Sequence, residues 1–119
     1  MDIEGFRNHC LKKVAVTEEL PFGPQTLVMK VAGKMFALTS FDDPDFRLNL
    51  KCEPQRAEQL RDRHPEIVGG YHMNKKHWNT LYVDRGTLSD TLLIELIDHS
   101  YELVVAGLSK KIRAEFGLL

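Results

Sequence analysis

The chain has 119 residues, enough for one domain and one hydrophobic core built without a metal or disulfide staple. Hydrophobic residues make up 43% and charged residues 28%, the balance of an ordinary globular protein. Sixteen Lys and Arg against 17 Asp and Glu leave a net charge of −1, so no global positive field draws the chain to nucleic acid or to an anionic membrane. Any such role must come from a local patch.

Residues 2–14 carry Ile3, Phe6, Cys10, Leu11 and Val14 at helical spacing, with Arg7, Asn8, Lys12 and Lys13 filling the other side. The N-terminus lacks the basic start and apolar run of a secretion signal, and no stretch is apolar for long enough to span a bilayer; the expectation is a cytoplasmic protein. Residues 17–24 contain two prolines and a glycine and read as loop.

Residues 27–32 and 35–41 read as two strands around a turn at Gly33-Lys34, a hairpin. Asp42-Asp43-Pro44-Asp45 has the composition of a turn. In the next strand the alternation is clearest: Phe46, Leu48 and Leu50 point one way, Arg47, Asn49 and Lys51 the other. Pro54 suits the first turn of a helix that reaches His64 and stops at Pro65. Its apolar stripe is thin, Ala57 and Leu60, which places it at an edge of the core.

Gly69-Gly70 marks a loop, and residues 78–84 read as a strand rich in aromatic and β-branched side chains. Leu81 and Val83 make its core side, which leaves Trp78, Thr80 and Tyr82 on the other face. A long helix follows, capped by Thr87 or Ser89, with Leu92, Leu93, Leu96, Ile97, Tyr101, Val104, Val105 and Leu108 on its apolar face. Helices segregated from a mostly antiparallel sheet make the class α+β, one domain over residues 1–119.

The densest polar segment is Tyr71-His72-Met73-Asn74-Lys75-Lys76-His77-Trp78-Asn79-Thr80. Lysine heads bind phosphate as point charges and aromatic rings stack on bases, so Lys75, Lys76, His77, Trp78 and Asn79 are candidates for nucleic-acid contact. Arg47 and Lys51, with Lys34 on the hairpin turn, extend the candidate surface along the polar face of the sheet. The competing reading is a solvated strand entry with Trp78 as an anchor.

A metal site is not expected. His72 and His77 lie five apart with no third or fourth ligand beside them. Asp98-His99-Ser100-Tyr101 has the residue types of a catalytic triad, but consecutive helical positions fan apart. No nucleophile-elbow, phosphate-loop or zinc-protease motif is present, so no enzyme and no cofactor are expected. Cys10 and Cys52 have no paired spacing and read as reduced thiols.

Several stretches together resemble the MmcQ/YjbR family. They are Pro21-Phe22-Gly23, Lys30-Val31-x-Gly33-Lys34-Met35-Phe36-Ala37, and Leu50-Lys51-Cys52-x-Pro54 with Leu60-Arg61. Gly70 to Asn79, and Ser100-Tyr101-x-Leu103-Val104, continue the match in the same order. The resemblance implies a compact fold like that of the CyaY (frataxin) proteins and a DNA-binding role through a double-wing arrangement of strands and loops. Frataxin-like iron binding would need an acidic first helix, whereas this one sets Asp2 and Glu4 beside Arg7, Lys12 and Lys13. A monomeric DNA-binding module is the leading expectation. A domain that binds a protein or small ligand with the same face is the alternative.

Overall fold

The computed structural model describes residues 1–42 and 44–119. The chain runs α1 (Ile3–Leu11), β1 (Val16–Glu19), β2 (Thr26–Val31), β3 (Lys34–Ser40), β4 (Arg47–Lys51), α2 (Pro54–Arg63), β5 (Ile67–Gly69) and β6 (Trp78–Tyr82). A 3₁₀ turn (Val83–Arg85), α3 (Asp90–Ala106) and α4 (Lys110–Glu115) complete it. All strands form one antiparallel sheet in the order β1-β2-β3-β4-β6-β5. The class is α+β, as the segregation of helices from strands implies.

Hydrophobic alternation decides which face is covered. Leu48 and Leu50 of β4, Leu81 of β6, Ala37 of β3 and Met29 of β2 pack with Phe6 of α1, Leu60 of α2 and Leu93, Leu96 and Ile97 of α3 in one buried cluster. All three longer helices therefore cover the same face. On the opposite face Val28, Leu38 and Thr80 are also buried, yet they belong to no part of that cluster.

Local chemistry sets the element ends. Asp2 caps α1 by accepting from Gly5 N, Glu53 caps α2 by accepting from Gln55 N and Arg56 N, and Ser89 caps α3 by accepting from Leu92 N. The hairpin turn is Ala32-Gly33, with φ of 48° and 81°, and Lys34 already pairs with Val31. Two left-handed central residues make the type I′ geometry that matches the twist of paired strands. The turn thus lies one residue earlier than the Gly33-Lys34 reading.

Several boundaries depart from the sequence reading. Thr17, Glu18 and Glu19 are strand, not loop: with acidic, unalternating side chains they form an edge that only pairing with β2 defines. Gly69 ends the three-residue edge strand β5, not a loop. The first helix stops at Leu11, and Ala15 (φ 62°) reverses the chain into β1. Strand β6 ends at Tyr82, two residues early, because the chain coils into the 3₁₀ turn. The helix α4 has no counterpart in the sequence reading. The turn read at Asp42-Asp43-Pro44-Asp45 includes Asp43, which lies outside the described residues.

Two devices fix the sheet against α3. Met29 pairs with Ala37 while Lys30 pairs with Met35, so Phe36 is the extra residue of a β-bulge. The bulge turns Phe36 into the core, where its ring meets Tyr101 edge-on at 5.4 Å. The fully buried Ser100 donates to Phe36 O (2.6 Å) and accepts from Lys51 N (2.9 Å), closing the gap where β3 and β4 part.

Candidate functional site: a cleft and an aromatic-cationic strip on the open face

The uncovered face of the sheet is not flat. Two loops rise beside it, residues 20–25 between β1 and β2, and residues 70–77 between β5 and β6. Between them lies a cleft of about 550 Å³. Its floor is Leu38, Asn49 and Thr80, a cross-strand row through the register Leu38↔Asn49↔Thr80. Phe22 forms one lip and Tyr71, His72 and Met73 the other.

The 70–77 loop is held by its own hydrogen bonds. Gly70 N donates to Trp78 O at 2.8 Å, Tyr71 N donates to Thr80 Oγ1 at 2.9 Å, and Asn74 Oδ1 accepts from Lys76 N at 2.9 Å. A Cβ on Gly70 would sit 2.8 Å from Trp78 Cβ and 2.9 Å from Met73 Cβ, so only glycine lets the loop lie this close to β6. These constraints hold the still exposed Tyr71 ring beside Arg47 of β4.

From the cleft wall outward runs a row of alternating cations and rings, with Arg47, Tyr71 and His72 lining the cleft and Tyr82 and Arg85 beyond it. Arg85 lies 3.9 Å from the centre of Tyr82, Arg47 lies 5.8 Å from Tyr82 and 5.0 Å from Tyr71, and Tyr71 meets the His72 ring at 4.1 Å. Each guanidinium is fixed over an aromatic face. The row comes from four places in the sequence: β4, the 70–77 loop, β6 and the 3₁₀ turn.

The polar floor is also organised. Thr80 Oγ1 accepts the Tyr71 N–H, so its own proton goes to Asn49 Oδ1. That orients the Asn49 amide and leaves its nitrogen as a donor at the cleft floor. Asp42 adds a carboxylate to the same cleft.

The structure separates the residues singled out in the sequence. Arg47 lies in the cleft wall. Lys75 and Lys76 are exposed on the 70–77 loop, Lys75 with its carbon stem laid across Gly69. His77 and Trp78 are half-buried at the start of β6. Lys51, opposite Trp78, joins Lys34 around a second, shallower recess beside the last turns of α3.

Asn79 departs from the surface reading. It is 2% exposed, donates to Ala57 O at 3.3 Å and accepts from Arg61 Nη1 at 2.8 Å. It points to the helix side with Leu81 and ties α2 to the sheet. The alternation in β6 already placed Trp78 and Asn79 on opposite faces. The polarity of the asparagine concealed which of the two was buried.

Sequence reasoning missed Phe22, Tyr82 and Arg85 as site residues. An aromatic in a Pro- and Gly-rich loop is a usable signal for Phe22. Nothing in sequence spacing brings Arg85 to Arg47. The triad-like run on α3 disperses as its helical spacing implies. Asp98 pairs with His9 (2.7 Å) and Lys13 (2.6 Å), and His99 Nε2 accepts from Glu53 N (3.2 Å). Ser100 closes the β3–β4 gap, and Tyr101 donates to Val14 O (2.7 Å). Among the described residues no group of three or more His, Cys, Asp or Glu could hold a metal. No described helix is long and apolar enough to cross a membrane.

A family model described as YjbR matches residues 11–103, most of the chain and all six strands. The chain belongs to the YjbR family. It is 44% identical over 91 residues to the uncharacterized protein YbdF of Escherichia coli O157:H7, covering 76% of this chain and 74% of that one. To the uncharacterized protein YjbR of Escherichia coli K12 it is 30% identical over 105 residues, 88% of each chain. A crystal structure of a Deinococcus radiodurans protein with the domain DUF419 superposes with a TM-score of 0.92 at 42% identity, covering 98% of this chain and 88% of that one. A Pseudomonas syringae protein superposes with a TM-score of 0.75 at 27% identity, covering 87% and 98%. The YjbR match takes in both walls of the cleft, Phe22 and the whole 70–77 loop.

Proposed function

We propose that this protein is a non-catalytic nucleic-acid-binding module that works through the open face of its sheet. The carrying observation is the row Arg85, Tyr82, Arg47, Tyr71 and His72, with exposed Lys75 and Lys76 on the adjoining loop. Cations interleaved with rings supply what a nucleic acid demands: charge for phosphate and flat apolar faces for bases. The net charge of −1 limits this to a local patch, so affinity is modest and strongly salt-dependent.

The test is a DNA titration at two or more salt concentrations. Removing one cation that touches phosphate should flatten the log–log salt slope by about 0.9 on duplex DNA. Lys75→Ala combined with Lys76→Ala should weaken binding to all sequences alike and leave thermal melting unchanged, because both side chains are exposed. Lys51→Ala, farther along the same strand face, should do the same to a smaller degree. No binding by the unaltered protein at about 50 mM salt sinks the reading. The cleft would then favour the second reading, a domain that takes a small ligand or a protein segment between its two lips.

A further inference from the structure

We infer that the cleft receives a single unpaired base of a nucleic acid strand, so that the protein prefers single strands to duplex. This rests on the nucleic-acid reading above and deepens it. The cleft volume, about 550 Å³, falls in the range of small-ligand pockets and admits one flat ring system with room to spare. Its lips are two aromatic side chains from separate loops, Phe22 at 66% exposed and Tyr71 at 54%. Exposed rings on opposite sides of a floor that is part apolar (Leu38) and part polar (Asn49, Thr80) suit a planar guest that stacks, and every base offers a π face.

The floor decides what kind of planar guest. Asn49 presents an amide N–H, its oxygen engaged by Thr80, and Thr26 lines the same space. These match the carbonyl and ring-nitrogen acceptors on a base edge. The lining carries one charge of each sign, Asp42 and Arg47, so the cleft holds no net positive charge to select an anionic guest. A neutral ring with acceptors fits this balanced lining. Phosphate finds its partners outside, on the exposed Arg85, Lys75 and Lys76.

In a duplex the base edges are paired and the faces stacked, so no base reaches such a floor unless it is extruded. The preference for single strands follows from that cost. Met35 and Met73 at the cleft margin let the walls adjust to purines and pyrimidines alike, so sequence preference is expected to be slight.

The experiment is a fluorescence-anisotropy titration of labelled oligothymidylate, oligouridylate of equal length, and a mixed-sequence duplex, each at about 50 mM salt. At least one of the two strands should bind about tenfold tighter than the duplex. Asn49→Leu, which removes the amide donor without adding charge, should bring strand affinity down toward that of the duplex while changing duplex binding less. Phe22→Ala, on an exposed lip where folding is not at risk, should reduce strand affinity about fivefold or more. Equal affinity for strand and duplex, or strand binding untouched by Phe22→Ala, overturns the base pocket and leaves the strip reading standing. Failure of all three probes to bind overturns both.

Discussion

Ser100 shows how little a residue type says about its work. Beside an aspartate and a histidine it has the look of a nucleophile, yet its hydroxyl is fully buried between Phe36 O and Lys51 N. Ser100→Ala would leave the buried Phe36 carbonyl and the part-buried Lys51 N–H without this partner, which should lower stability by about 1–3 kcal/mol in denaturant unfolding. His99 carries a pH dependence of its own. Burial, helped by Arg56, pushes its pKa below 6.5, so the unfolded chain takes up the proton first. Stability from this group is complete above pH 6.5 and declines as pH falls from there toward the folded pKa. Urea midpoints at about pH 7.5 and about pH 5.5 should differ, and His99→Gln, which keeps an acceptor for Glu53 N, should remove that part of the difference. Both cysteines are free and buried, and burial pushes the Cys10 thiol up to about 12. The native protein should resist alkylation at about pH 8, whereas the denatured chain should react at both thiols.

Among the elements, the β2–β3 turn and the 70–77 loop are the most tightly constrained by backbone geometry. Ala32 holds φ at 48° and precedes Gly33 at 81°, a type I′ turn with alanine where asparagine is favoured. Ala32→Asn should raise stability by about 0.5–1 kcal/mol, read as a higher melting temperature, because asparagine tolerates the left-handed region and alanine does not. Gly70 is the opposite case: its backbone lies so close to Trp78 and Met73 that any side chain forces the loop off β6. The loop was legible as a dense polar stretch, but its role as a wall was not. That role depends on Tyr71 N reaching Thr80 Oγ1, a bond between the loop and the middle of β6. Similarly, β1 and β5 have too few residues and too little alternation to declare themselves. Each exists because a longer neighbour offers it a ladder.

At the scale of the whole molecule the short edges bear on association. β1 has four residues, three of them Thr17, Glu18 and Glu19, and β5 has three and ends in glycine. Such edges are poor templates for a further strand. Light scattering should therefore give a monomer mass near 13.7 kDa at low micromolar concentration, and a tight dimer would contradict this. The sequence by itself determined the strongly periodic parts, the α3 stripe and the alternation of β4, with Pro54 at the head of α2; it narrowed the α3 cap to Thr87 or Ser89, and the structure selects Ser89. It also determined which side of β4 enters the core and that Leu81 lies on the core side of β6, because a period of two or of 3.6 survives in any tertiary setting. Only the tertiary structure decided that Asn79 is buried and that Phe36 is bulged into the core. It alone brought Phe22, Arg47, Tyr71, Tyr82 and Arg85 around one face. Those outcomes come from strand order and loop approach, in which β6 inserts between β4 and β5 and carries the 70–77 loop across the sheet. Local periodicity records which side of an element is apolar. It does not record which neighbour that element meets, and the cleft is made entirely of neighbours.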